Sequence, residues 1–193
     1  MGGTSTAGTR TLNISGSNAN IQMTTLRTRG DGTGTNTVKF TPDSGGVSTV
    51  NLIDGGGGWG DLQLNDSADV LEVDFSSYAA RKTPLVLFDY ADSLTGTFNN
   101  VTWTGLQSYE DAVIEYDSTN KQIKVTPFGE IIWTGATDGT WSNTGNWDLP
   151  VTPDDDVKHK VVFDTSTTGA QTIAIAANRS IAGLIIRVTR IIQ

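Results

Sequence analysis

The chain is predicted to be all-β, on three observations. Apolar residues recur at every second position in short runs rich in Val, Ile, Thr and aromatic residues, the period of a strand with one buried face. Gly, Asn and Asp clusters interrupt those runs roughly every 8 to 12 residues, the spacing of turns in sandwiches, barrels and coils. No stretch sustains a 3.6-residue apolar period beyond two turns, so helix is expected to be scarce.

Residues 1–9 are small and polar and are read as a flexible end. From Arg10 the strand candidates follow in order. "TLNISG" turns Leu12 and Ile14 inward, "ANIQMTTL" does so with Ile21 and Met23, and "NTVKFTP" with Val38 and Phe40. "VSTVNLI" is closed by the turn "DGGGGWGD", then come "DLQLND" and "DVLEVDFS", whose Glu72 and Asp74 share the face opposite Leu71, Val73 and Phe75. "TPLVLFDYA" is almost continuously apolar after its Pro, which predicts a strand buried on both faces. "GTFNNVTWTG" follows, and "AVIEYDS" and "KQIKVTP", joined by "DSTNK", read as a hairpin.

The pattern restarts near residue 129. "EIIWTG" and "GTWSNTGNWDLP" lead through the acidic turn "TPDDD" to three candidates, "HKVVFDT", "AQTIAIAA" and "IAGLIIRVTRII". Residues 10–128 are therefore expected to form one domain and residues 129–193 the start of a second β module, read as truncated. Two architectures suit the first region. The preferred one is a β-sandwich of jelly-roll type, because strand and loop lengths are unequal; the alternative is a right-handed β-helix or solenoid running throughout.

Composition narrows the functional classes. The 193 residues hold 13 Lys plus Arg against 21 Asp plus Glu, a formal net charge of −8 that disfavours nucleic acid and anionic membrane surfaces as partners. Charged residues make up 18%, below the roughly 25% of ordinary soluble domains; Thr, Ser, Asn and Gly take their place, as in extracellular β proteins. There is no cysteine, which removes disulfides, thiolate metal sites and a cysteine nucleophile from consideration. No apolar run nears the roughly 20 residues that span a bilayer, and the first residues do not read as a signal peptide. The secreted character without an address suggests a piece of a longer exported protein.

Residues 131–186 carry a pattern of W-x-G, G-x-W, N-W, a Pro-x-x-x-Asp turn, a short strand and N-x-S-x-x-x-L-x-I. The matching positions are Trp133 and Gly135, Gly139 and Trp141, Asn146 and Trp147, Pro153 and Asp156, Val161 and Phe163, and Asn178, Ser180, Leu184 and Ile186. This resembles a module of large bacterial surface and secreted proteins, including autotransporter-like passengers. The preceding "LVLFDYADSLTGTF" and "EYDSTNKQIKV" are similar to the segment that often comes before it. The resemblance implies repetition, secretion and a cell-surface or extracellular location; it implies no shared catalytic motif.

Several residues invite a functional reading. Trp59, Trp141 and Trp147 are candidates for a carbohydrate platform, since an exposed indole offers a flat face to a sugar ring; the competing reading makes Trp133, Trp141 and Trp147 core or turn packing. Asp154, Asp155 and Asp156 form the oxygen-rich turn best suited to calcium, which takes six to eight oxygen ligands. No EF-hand or nonapeptide spacing accompanies them, and no other cofactor is expected. Glu72 and Asp74, roughly 7 Å apart along one strand face, are paired carboxylates that suggest a polysaccharide-cleaving enzyme. His159, the single histidine, is expected at the surface.

The reading these features support is a non-catalytic structural or adhesive segment of a bacterial extracellular protein, not an enzyme. A carbohydrate-binding module is the first alternative and a polysaccharide-active enzyme fragment the second. A polysaccharide or cell-surface glycan, and a second copy of the chain pairing at the "GLIIRVTRII" edge, are the expected partners. Insertion into a membrane is not.

Overall fold

The computed structural model describes residues 9–28, 35–56, 60–64, 69–153, 159–164 and 172–187. It is all-β, with one 3-10 turn at Thr144–Asn146 as the sole helical element among those residues. The chain divides into two compact units, residues 1–106 with 114–126, and residues 107–113 with 127–193.

The first unit is a coil of parallel strands. β1 (Arg10–Ser15), β2 (Ile21–Met23) and β3 (Thr25–Thr28) form one turn; β4 (Asn36–Thr41), β5 (Val50–Leu52) and β6 (Asp61–Leu64) form the next. β7 (Asp69–Asp74), β8 (Leu85–Tyr90) and β9 (Leu94–Gly96) make the third, and β10 (Asn100–Thr104) opens a fourth. Each strand pairs with its counterpart one turn away, giving sheets ordered β1-β4-β7-β10, β2-β5-β8 and β3-β6-β9, every pair parallel. β11 (Asp111–Asp117) and β12 (Gln122–Phe128) follow as the expected hairpin, with β12 antiparallel to β8 and β11 beyond it.

Of the two architectures open from the sequence, the coil is the one present, and the preference for a jelly roll is overturned. A jelly roll pairs antiparallel strands, whereas here Arg10 stacks on Asn36 and Asn36 on Asp69, strand upon strand in one direction. The unequal turn lengths that argued against a coil are absorbed at its corners. The 42–49 corner, for instance, is closed by backbone bonds between Asp43 and Gly46 and tied to the turn below by Ser48 N–H donating to the Gly16 carbonyl at 2.7 Å.

Stacking in register explains the core. Alternate residues of β4 and β7 point inward, so Val38 lies against Leu71 and Phe40 against Val73, and all four are buried. A column of aromatic rings continues this through successive turns: Phe40 meets Phe88 edge-on at 5.4 Å, and Phe88 meets Phe98 at 6.0 Å. Close stacking also dictates glycine. Gly96, at φ +81°, would carry a Cβ 1.9 Å from the Leu64 carbonyl oxygen one turn below, a position no other residue can occupy undistorted.

Two strand expectations change in detail. "ANIQMTTL" is broken at Thr24 into β2 and β3, a corner of the coil. The apolar run of β8 is not buried on both faces. A bulge places Ile123 opposite Phe88 but Lys124 opposite Val86, so consecutive residues Leu87 and Phe88 both face inward while Val86 and Asp89 face out.

The second unit holds a parallel sheet of β13 (Glu130–Trp133), β14 (Lys160–Phe163) and β15 (Gly183–Ile186). Ile131, Val161 and Leu184 stack in one row and Trp133, Phe163 and Ile186 in another. The predicted strand "AQTIAIAA" contributes only a single parallel bridge, Thr140 to Ala174, among the described residues. β15 ends the sheet with Leu184 and Ile186 exposed at 56% and 68%.

Candidate functional site

The loop after β13 gathers the conspicuous residues of the sequence. Gly135, at φ +59°, begins the reversal of the chain after β13. Gly139 then crosses so close to residue 172 that a Cβ would lie 2.6 Å from the Thr172 carbonyl oxygen. The bridge at this crossing uses Ala174 N–H to the Gly139 carbonyl at 2.6 Å and Trp141 N–H to the Ala174 carbonyl at 3.0 Å. Trp147 returns antiparallel to Trp133.

The three indoles thereby meet in the interior. Trp133, Trp141 and Trp147 are 1%, 4% and 5% exposed. Trp147 is edge-on to both of the others, at 4.9 Å each. Trp141 Nε1–H donates to the Pro153 carbonyl at 3.2 Å, and Trp147 Nε1–H to the Trp141 carbonyl at 2.9 Å. Phe128, Ile131 and Val161 complete the cluster. Trp141 and Trp147 therefore present no open ring face to a sugar, because the loop folds them onto β13 and their N–H groups are used internally.

Asn146 is the centre of this loop and was not singled out as a site from sequence. It is fully buried, and its side chain is satisfied on every side. Oδ1 accepts from the N–H groups of Thr137 and Asp138 at 2.9 Å each; Nδ2 donates to Asp138 Oδ1 at 2.8 Å and the Thr140 carbonyl at 2.9 Å. Asp138 in turn accepts from Thr140 N–H at 2.7 Å and Asn143 Nδ2 at 2.8 Å. These bonds hold its carboxyl at about 2, below the ordinary 3.8, the Thr140 N–H contributing most. Since the folded value is depressed, the stabilisation is complete above 3.8 and is lost as pH falls towards 2. Unfolding of the second unit, followed by tryptophan emission between pH 5 and 2, is expected to show this loss and to show less of it in Asp138→Asn; an identical acid profile in the variant would contradict the assignment.

The remaining candidates scatter. Trp59 and Asp154, Asp155 and Asp156 lie outside the described residues. His159 is buried at 5% exposure, correcting the surface expectation; its ring lies 5.5 Å from Phe128 and its Nε2 3.6 Å from Asp111 Oδ2. Glu72 and Asp74 do face outward on β7, but each is engaged. Glu72 pairs with Lys39 across the turn. The Asp74 carboxyl is held below its ordinary value, chiefly by the Ser76 hydroxyl, which is opposite to what a general acid needs. Among the described residues no group of three or more His, Cys, Asp or Glu side chains is placed to hold a metal.

One open concavity stands apart, on the outer face of the first unit. It spans about 570 Å³, largely open to solvent, and its lining includes Ser17, Asn18, Asn20, Asn51, Asp89 and Gln122, with Thr49 and Val86. The register aligns Gln22, Asn51, Asp89 and Gln122 in one row across β2, β5, β8 and β12. Its wall, residues 17–20, is fastened to the next turn: Ser17 N–H donates to Asp43 Oδ2 at 3.1 Å and Ala19 N–H to Ser48 Oγ at 2.9 Å. The sequence offered one cue to this row, the lone acid of "LVLFDYA", but its companions lie one turn away.

No protein-family model, curated protein or solved structure matches the chain.

Proposed function

We propose that the chain is a non-catalytic structural or adhesive segment of a bacterial extracellular or cell-surface protein. The observation that carries this reading is the in-register stacking of β1, β4, β7 and β10, repeated in the β2 and β3 series. A coil of this kind gains its core from nearest-neighbour turns and presents long regular faces rather than a deep enclosed site. The low charge density and net charge of −8 suit an extracellular surface, and the W-x-G, G-x-W, N-W pattern resembles that of exported surface proteins. Partners consistent with this reading are a surface glycan and a second copy pairing at the β15 edge.

The burial of Trp141 and Trp147 weighs against a carbohydrate-binding module built on those rings. The test is twofold. Protease shaving of intact source cells is expected to release peptides of this chain, and incubation with soluble polysaccharides to release no new reducing ends. Protection of the chain in intact cells, or sugar release abolished by Glu72→Gln with Asp74→Asn, would overturn the reading.

A further inference from the structure

We propose that the outer groove of the first unit binds a linear, uncharged, hydroxyl-rich glycan laid across the strands. The inference deepens the adhesive part of the reading above and rests on it. It begins with geometry. The row Gln22, Asn51, Asp89 and Gln122 runs perpendicular to four adjacent strands, its last three members lining the groove and Gln22 continuing it past the groove's edge, which at the usual spacing makes it about 14 Å long. Successive side chains in such a row repeat at nearly the length of one pyranose ring, so a sugar polymer lying along it meets one polar group per residue.

The chemistry of the row selects the ligand. Asn51 turns its Nδ2 to the backbone, towards the Thr49 carbonyl at 3.3 Å and the Ile21 carbonyl at 3.5 Å, which leaves Oδ1 as its outward acceptor. Asp89 takes Gln122 Nε2 on Oδ2 at 3.3 Å, keeping further lone pairs available, and orients Gln122 Oε1. Such acceptors favour a ligand that brings hydroxyl donors, while the amides of Asn18 and Asn20 on the wall supply donors in return.

Other ligand classes fit less well. An anionic polymer meets Asp89 and the net charge of −8, and the nearest cation on β12, Lys124, is tied to Asp117 at 2.5 Å. A divalent ion finds one carboxylate in the groove where several oxygen ligands are needed. An apolar molecule finds Val47 and Val86 among amides and hydroxyls. The wall does not have to be ordered by the ligand, since Asp43 and Ser48 already hold it.

The test is calorimetric titration of the whole chain with neutral oligosaccharides of glucose, xylose, mannose and N-acetylglucosamine, two to six units long, and with hexagalacturonate as the anionic comparison. At least one neutral series is expected to bind more tightly than about 1 mM, improving with length up to about four units, one for each strand crossed. Asn51→Ala and Asp89→Ala are expected to weaken it roughly tenfold or more with unchanged melting temperatures, and Thr102→Ala, on the other sheet, to leave it unchanged. Absence of binding by every neutral series, tighter binding of hexagalacturonate, or full affinity in both groove variants would overturn the proposal. Cell-surface shaving judges the location independently, so a chain that is surface-exposed but binds no glycan loses this inference and keeps its structural role.

Discussion

Trp147→Ala is expected to destabilise the second unit by about 3–5 kcal/mol, the usual cost of emptying a large aromatic site. The ring is edge-on to Trp133 and Trp141, both at 4.9 Å, so its removal leaves two neighbours facing a void. It also removes the Nε1 bond that holds the Trp141 carbonyl at 2.9 Å. Against the 5–15 kcal/mol that stabilises an ordinary domain, such a loss is a large fraction. Denaturant unfolding followed by indole emission is the measurement. Trp147→Phe separates the two contributions: it keeps most of the packing and loses the hydrogen bond, so about 1–2 kcal/mol is expected. A Trp147→Ala protein as stable as the parent would show that the ring is not part of a close-packed cluster.

The second large effect is expected at Phe88, in the aromatic column of the first unit. Phe88 touches Phe40 from the second turn and Phe98 from the approach to the fourth. It is fully buried, and the bulge at Leu87 exists in a strand that turns both residues inward. Phe88→Ala is expected to cost about 3–5 kcal/mol, and Phe88→Leu less, about 1–2 kcal/mol. In a coil, each turn is stabilised mainly by its neighbours, so the loss should appear as hydrogen exchange in β4, β5, β7 and β8 rather than as fraying confined to β8. Exchange that quickens in β8 alone would contradict an interlocked column.

The part of the candidate site that was legible in sequence is the spacing of its aromatic and glycine residues. Trp133, Gly135, Gly139, Trp141, Asn146 and Trp147 do come together, and the structure supplies the reason for each residue type. Gly135 reverses the chain, Gly139 admits the Thr172 carbonyl, and Asn146 satisfies four backbone and side-chain groups. Whether the rings faced water was not legible, because burial depends on the loop closing over β13, a contact between distant segments. The groove was less legible still. Asn51, Asp89 and Gln122 are far apart in the chain and ordinary in their local context, and only register makes them a row.

Period-two patterning by itself determined that this chain is built of strands and which face of β4, β5, β6 and β7 is buried, because side-chain direction alternates whatever the neighbouring strand does. Beyond the β11–β12 hairpin, the tertiary structure alone decided which strands pair. Parallel and antiparallel neighbours impose the same alternation on a sequence, so a jelly roll and a coil are written alike. The choice between them rests on contacts between one turn and the next, such as Phe40 on Phe88 and Gly96 on Leu64. Those contacts join residues tens of positions apart across corners of unequal length, where no local period survives to announce them.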